Sequence, residues 1–291
     1  MAHAAPETHS TPVTAPRPIV LCADDYAVAP GVSRAICALI EKGRLSATSC
    51  MTASPQWPEQ ARWLRPLADQ ADIGLHLTLT DQAPLGAMRL APDGRLPPLG
   101  AVIRRAFMGG LDRGEIAAEI ARQLDAFTEA FGRAPDFVDG HQHVHLLPGV
   151  RSALIEALAR RRNGGGSPYL RDCGAPLGLT LGRGVETGKT LGLSVLSTGF
   201  ARSARARGIA TNPAFAGVYD FTGAYAPLFA RFIGGLPGNA IVMCHPGWPD
   251  EALRRADPVV DQRQVEYEFL ASDAMPEALA QAGVRLARFK A

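Results

Sequence analysis

Apolar and polar positions alternate between two periods along this chain. Pro18-Ile-Val-Leu-Cys-Ala23 is a short continuous apolar run, the pattern of a strand buried on both faces, and it stops abruptly at Asp24-Asp25. Val32, Ala35, Ile36, Leu39 and Ile40 then fall at helical spacing, with Gly43 where a helix C-cap glycine belongs. The alternation repeats with a strand over Ala47–Met51, a helix over Pro58–Leu67 and a strand over Ile73–Leu79. Further on, Ile116, Ile120, Leu124 and Phe127 mark one face of a helix over Arg113–Phe131, and Phe137-Val138 reads as a strand running into Asp139-Gly-His-Gln-His-Val-His145. A helix over Val150–Arg161, a strand at Tyr169-Leu170 and a strand over Ala240–Cys244 follow. Helices over Gln262–Leu270 and Pro276–Ala282 and a strand over Val284–Phe289 close the pattern. Repeated strand-helix units of this kind predict α/β architecture: a parallel sheet covered by helices, closed or nearly closed as a barrel.

Two stretches break the rhythm. Residues Asp81 to Gly110 are rich in Pro and Gly and too long for an ordinary connection, which predicts a lid or substrate-binding loop. Residues 174 to 240 are glycine-rich with weak periodicity and predict irregular loops around short helices. Asn163–Ser167 has the composition of a linker, but its flanks make it a loop tip, so residues 18–291 are expected to form one domain behind a disordered tail of residues 1–17.

Composition narrows the function. With 291 residues, 47% of them hydrophobic, the chain can bury a core the size of an α/β barrel. The net charge of +2 is spread along the chain, so no basic footprint for nucleic acid is present and a small, weakly charged substrate is expected. The five cysteines form no Cys-x-x-Cys pair and read as buried residues in a reducing compartment. The first seventeen residues lack the basic start and apolar stretch of a signal peptide, and no apolar run reaches membrane-spanning length; a cytoplasmic protein is therefore expected. Sequence offers no handle on assembly, and a homodimer is the default for a soluble enzyme.

The chemistry concentrates at strand ends. Two of the seven histidines, His3 and His9, lie in the tail, whereas His76, His141, His143, His145 and His245 all lie on or just beyond predicted strands, as does Asp24-Asp25. In α/β folds the C-terminal strand ends converge on the active site. Singly, each group has a plainer explanation: a hydrogen-bonded interior histidine, a helix cap, a turn. Together they are costly to bury unless paired or bound to a metal, and a divalent-metal site accounts for all of them at once. Adjacent carboxylates divide the work: Asp25 reaches the ion while Asp24, pointing elsewhere, serves as general base beside the ion's water. Three protein ligands leave open positions, as metal-assisted hydrolysis requires. In an extended segment His141, His143 and His145 share a face, but one or two of them suffice as ligands, leaving the others to support or contact substrate. His245, by elimination, would protonate a leaving amine. Arg171 could hold Asp24 ionised, and Trp248, next to the segment of His245, is a candidate sugar-stacking surface.

At these residues the chain resembles the YdjC-like carbohydrate deacetylases, the group that includes chito-oligosaccharide deacetylases and hopanoid-associated deacetylase-like proteins. The likeness runs from Pro18 to Pro249 and is carried by Ala23-Asp24-Asp25-Tyr26, Gly74-Leu75-His76-Leu77, Asp139-Gly140-His141-Gln142-His143-Val144-His145 and Cys244-His245-Pro246-Gly247, in that order. The resemblance implies a deformed (β/α) TIM-like barrel with Asp25, His76 and His141 as ligands of one divalent ion. It also implies hydrolysis of an N-acetylated sugar to amine and acetate, with Asp24 as base and His245 as acid. Magnesium and zinc are the expected ions, with cobalt and nickel as further options. The sequence departs from the family at Ala27, where a glycine is usual, so a positive φ is not expected there. Two rival classes share parts of this pattern. A non-haem metal oxygenase uses two histidines and one carboxylate but needs no second carboxylate placed as a base, and a non-catalytic sugar-binding relative would lack a base or ligand.

Overall fold

The computed structural model describes residues 15–161 and 168–290. The expected loop tip at Asn163–Ser167 and the first fourteen residues of the expected tail lie outside the described residues; Arg17, the last residue of that tail, already begins the first strand. The strands are β1 (Arg17–Tyr26), β2 (Ala47–Cys50), β3 (Asp72–Leu77), β4 (Phe137–Gly140), β5 (Tyr169–Leu170), β6 (Phe215–Ala216), β7 (Ala240–Cys244) and β8 (Val284–Leu286). The first helices are α1 (Pro30–Glu41), α2 (Trp57–Leu64), α3 (Leu99–Phe107), α4 (Arg113–Phe131), α5 (Val150–Arg160) and α6 (Leu177–Arg183). The rest are α7 (Thr187–Leu196), α8 (Phe200–Arg205), α9 (Tyr225–Ile233), α10 (Glu251–Ala256), α11 (Asp261–Ala271) and α12 (Ala274–Gln281).

All strand pairs are parallel, in the order β5-β4-β3-β2-β1-β7-β6, with β8 added beside the first residues of β1. Parallel neighbours need crossovers, and the helices supply them on the outer face, where α2, α4 and α5 pack together on one flank and α9, α11 and α12 on the other. The apolar runs read from the sequence are the core: Ile19 to Ala23, Ile241 and Val242 are essentially inaccessible. The sheet curls into a half-barrel rather than eight regular strand-helix units. Between β5 and β6 the chain forms three short helices, and β5 meets the segment before β6 at a single bridge, Leu170 to Thr211.

Of the two irregular stretches, 81–110 holds a helix that its composition does not predict, whereas 174–240 holds short helices among loops, as expected. The 81–110 segment carries α3, and the 174–240 segment carries α6 to α9 and β6. Glycine is needed where side chains press on a strand: a Cβ on Gly74 of β3 would sit 2.4 Å from the Phe137 ring, and one on Gly140 2.9 Å from His145 Nδ1.

Candidate active site

The floor of the site begins with an irregularity in β1. Its pairing with β2 runs Ala23 to Thr48 and then Tyr26 to Cys50, so one extra residue is accommodated between them, a bulge that contains both aspartates. Asp25 takes φ 64° and Ala27 φ 73°. Positive φ at Ala27 is therefore present despite the missing glycine, at a cost of roughly 1–2 kcal/mol for a residue with a Cβ; Ala27 N–H donates to Ser33 Oγ at 2.9 Å, which helps to fix the turn. The bulge turns the two adjacent carboxylates in different directions.

Asp25 faces two imidazoles. Its Oδ1 lies 3.3 Å from His76 Nε2 on β3 and 3.0 Å from His141 Nδ1 just beyond β4. Ligand atoms of these three residues lie within 4.8 Å of one another. His76 is fixed from behind: its Nδ1 is 2.7 Å from Asp139 Oδ1 at the end of β4 and 2.9 Å from Ser49 Oγ on β2, and the Ser49 hydroxyl also donates to Asp139. A carboxylate on one imidazole nitrogen with the other turned inward is the usual support for a metal-ligating histidine. Charge points the same way. Three buried carboxylates, Asp24, Asp25 and Asp139, face two buried guanidiniums, Arg171 and Arg263, so the cluster calls for further positive charge. The His76 imidazole answers to this charge: burial pulls its pKa down, but the carboxylates around it, Asp139 first and then Asp25 and Asp24, together outweigh burial and raise it to about 10. Two imidazoles and one carboxylate fit a divalent ion that would supply that positive charge.

Asp24 points the other way, to Arg171, which lies just past β5 and has no exposed surface. Arg171 Nη1 donates to Oδ2 at 2.7 Å and Nη2 to Oδ1 at 2.6 Å, a two-pronged pairing. Burial alone would raise the Asp24 carboxyl, yet the guanidinium beside it holds it far below the usual carboxylate range. Arg171 Nη2 also makes an ionic contact with Asp139 Oδ2 at 2.6 Å and donates to Cys22 Sγ at 3.0 Å. Cys22, Asp24 and Asp139 are themselves spaced like metal ligands, but Arg171 already fills that position with a cation.

His245 follows β7. Its Nε2 lies 4.0 Å from Asp25 Oδ2, and its backbone N–H donates to Glu266 Oε2 at 2.5 Å. Burial lowers its pKa, against the pull of Asp25 and Asp24. Glu266 on α11 also accepts from the Tyr219 hydroxyl, and burial raises its carboxyl to about 7. One turn earlier, Arg263 Nη2 donates to Asp25 Oδ2 at 2.6 Å.

The His141–His145 segment is not extended, so the expected shared face does not exist. It forms a 3-10 turn in which Gln142 and His143 are left-handed, at φ 51° and 61°. The three histidines consequently separate. His141 reaches Asp25; His143 lines the cavity with Nδ1 3.5 Å from Cys173 Sγ; His145 turns into the core. There its Nε2 donates to the Arg171 carbonyl at 2.9 Å, and burial, the main influence on it, holds the ring neutral with a pKa near 4. Trp248 does not line the cavity: it meets Tyr267 edge-on at 5.2 Å, and its backbone is tied to Gly31. The cavity above the floor measures about 540 Å³. Asp24, Asp25, His76, His141, His143 and His245 line its base; Leu99, Ile103, Leu193, Leu196, Val218 and Phe221 line its wall.

With this geometry in place, residues 18–281 match the family described as YdjC-like protein. The chain belongs to the YdjC-like family. Among curated relatives, chitooligosaccharide deacetylases of Yersinia pestis and Yersinia pseudotuberculosis are 28% identical over 272 residues, covering 93% of this chain and 97% of theirs. The crystal structure of an Enterococcus faecalis V583 protein, provisionally described as a cellobiose-phosphate cleavage protein, superimposes with a TM-score of 0.71 at 22% identity, over 94% of this chain and 98% of that one. It shares the fold.

Sequence reasoning gave no role to Asp139, Ser49, Arg263 or Glu266 of this YdjC-like site. Asp139 carried a usable signal, since it ends a buried strand just as Asp24 does. Arg263 and Glu266 carried none: on an amphipathic helix, charges three residues apart look like solvated surface.

Proposed function

We propose that the chain is a divalent-metal-dependent hydrolase that removes the acetyl group from an N-acetylated sugar. The observation that carries this reading is the placement of Asp24 and His245 beside the Asp25, His76 and His141 cluster, in one cavity. The names of the Yersinia relatives support the same reaction class. A two-histidine, one-carboxylate set alone also suits a non-haem oxygenase; a second carboxylate locked in the ionised state by Arg171 favours hydrolysis.

A divalent ion held by Asp25, His76 and His141 would polarise the acetyl carbonyl and acidify the attacking water. Asp24 accepts the water's proton on its carboxylate. Arg171 keeps that carboxylate charged and oriented, at some expense in basicity. The water oxygen joins the acetyl carbon, the C–N bond breaks, and His245 delivers a proton from Nε2 to the departing nitrogen. An imidazole whose pKa is lowered by burial is a good donor once protonated. Glu266 holds the His245 backbone, and Asp139 with Ser49 holds His76. The donor set favours zinc, cobalt or nickel over magnesium, which prefers oxygen ligands. Among N-acetylated sugars, the apolar wall of Leu99, Ile103, Leu193 and Leu196 favours a glycolipid head group over a free chito-oligosaccharide.

The test is release of acetate and free amine from N-acetylglucosamine oligomers and from N-acetylated glycolipids, with and without chelator, by wild type and Asp24→Asn. Chelator-sensitive release that the variant loses is the expected result. Metal binding without release from any of these substrates would overturn the proposal.

A further inference from the structure

Asp25 is held on both oxygens, by groups of different kinds. Oδ1 faces His76 Nε2 and His141 Nδ1, whereas Oδ2 accepts from Arg263 Nη2 at 2.6 Å. Arg263 is 1% exposed and arrives from α11, 238 residues along the chain. It is pinned on several sides: Nε donates to the Val259 carbonyl at 2.9 Å, Nη2 lies 3.3 Å from Asp257 Oδ2, and its own carbonyl accepts from Gly247 N–H at 3.0 Å. It has little freedom to swing away from Asp25.

A guanidinium in contact with a cation's ligand repels that cation, so affinity alone does not account for its place. Geometry does. With Oδ2 taken, Asp25 has one oxygen left to give. Large cations such as calcium take six to eight oxygen ligands and often grip a carboxylate by both oxygens; smaller ions with nitrogen ligands need only one. Resting on the metal-site reading above, we infer that Arg263 is a positioning residue that makes Asp25 a one-oxygen ligand and thereby biases the site towards small ions such as cobalt and zinc, against calcium. The plainer alternative is a buried ion pair that merely neutralises Asp25. The two differ in one quantity: a neutralising pair changes the affinity for all divalent ions together, whereas a positioning pair changes their ratio.

The full chain, stripped with chelator, is titrated calorimetrically with Co²⁺ alone and with Ca²⁺ alone, as wild type, Arg263→Met, Arg263→Gln and Arg263→Lys. The ratio of the two dissociation constants should narrow by about tenfold or more in the Met variant and in the Gln variant, whose amide is too short to take the place of Nη2, mainly through tighter calcium binding, and stay within about threefold of wild type in Lys, which keeps a cationic donor of nearly the same reach. Circular dichroism checks each fold, and if the Met variant is unfolded the Gln variant decides. An unchanged ratio in folded Arg263→Gln, with both affinities moving together, would overturn the inference while leaving the metal site intact. Wild type that binds neither ion, or binds them equally well after Asp25→Ala, would instead remove the metal-site reading and this inference with it.

Discussion

The floor and the wall of the cavity are built on opposite principles. The floor is charge held by strands: Asp24, Asp25, His76 and Asp139 stand on β1, β3 and β4, and each has a hydrogen-bonding or ionic partner within 3.3 Å. The wall is apolar surface, Leu99 and Ile103 from α3 and Leu193 and Leu196 from α7, with Val218 and Phe221 from the loop after β6. The same helices, with neighbouring α6, expose Phe107, Leu177, Leu181 and Val195. In a floor of this kind one lost partner leaves a buried charge uncompensated, whereas in the wall one lost side chain removes only some contact area. Under the proposed function the floor would set the chemistry and the wall would tune which molecule reaches it.

The sharpest break in that comparison is Asp24→Asn. If Asp24 is the proton acceptor, as proposed, the change should cost about 10²–10⁴ in kcat, while cobalt or zinc affinity measured by titration stays near that of wild type, because Asp25 and not Asp24 faces the imidazoles. Equal loss of metal in Asp24→Asn and Asp25→Asn would dissolve the division of labour between the two aspartates. Asp139→Asn comes next. It leaves the shape of the site but weakens the support of His76, and about 10–100-fold in metal affinity should go with it. Affinity that does not move would show that Ser49 alone fixes the imidazole.

The same contrast decides what could be read from the sequence. The floor was legible because buried strands end in residues that are expensive to bury, and Asp24-Asp25, His76 and His245 each follow an apolar run. Strand alternation also gave the parallel sheet. It could not give the β1 bulge, which depends on pairing with β2, nor the left-handed turn at Gln142-His143, which breaks the face that His141, His143 and His145 would share in an extended segment. Arg263 and Glu266 were invisible because their meaning comes from helix placement, and helix placement is tertiary. The wall was illegible for a further reason: α7 and its neighbour α6 are short and glycine-bearing, so their periodicity is too brief to register.

Glu266 sits between the two regions, tying His245 of the floor to Tyr219 of the wall, and it tests the comparison through stability. Its carboxyl is raised to about 7 in the folded protein, burial being the main cause, against about 4.3 for a free glutamate. A raised carboxyl means that the folded state binds the proton more tightly. This contribution therefore favours folding at low pH, weakens as pH rises from about 4.3 to 7, and is constant above that. Glu266→Gln should flatten the pH dependence of unfolding free energy, removing a fall of roughly 3–4 kcal/mol across that window, measured by urea titration at each pH. An unchanged slope would mean that the donors from Tyr219 and His245 fully offset burial of the charge.

The smallest effect belongs to the wall. Ile103→Asn and Leu193→Asn each replace a half-buried apolar side chain with a polar one of similar size, and neither removes a charged group of the floor. Stability should change by no more than about 0.5–1 kcal/mol. If the wall takes an apolar portion of the substrate, KM for an N-acetylated glycolipid should rise about 5- to 10-fold, the equivalent of roughly 1 kcal/mol of lost apolar contact, with kcat nearly constant because the floor is intact. KM for a water-soluble N-acetylglucosamine oligomer should barely move, since such a molecule has little apolar surface to lose. A fall in kcat on both substrates would mean that α3 and α7 position the reacting acetamide itself, and the separation between a floor for chemistry and a wall for selection would fail.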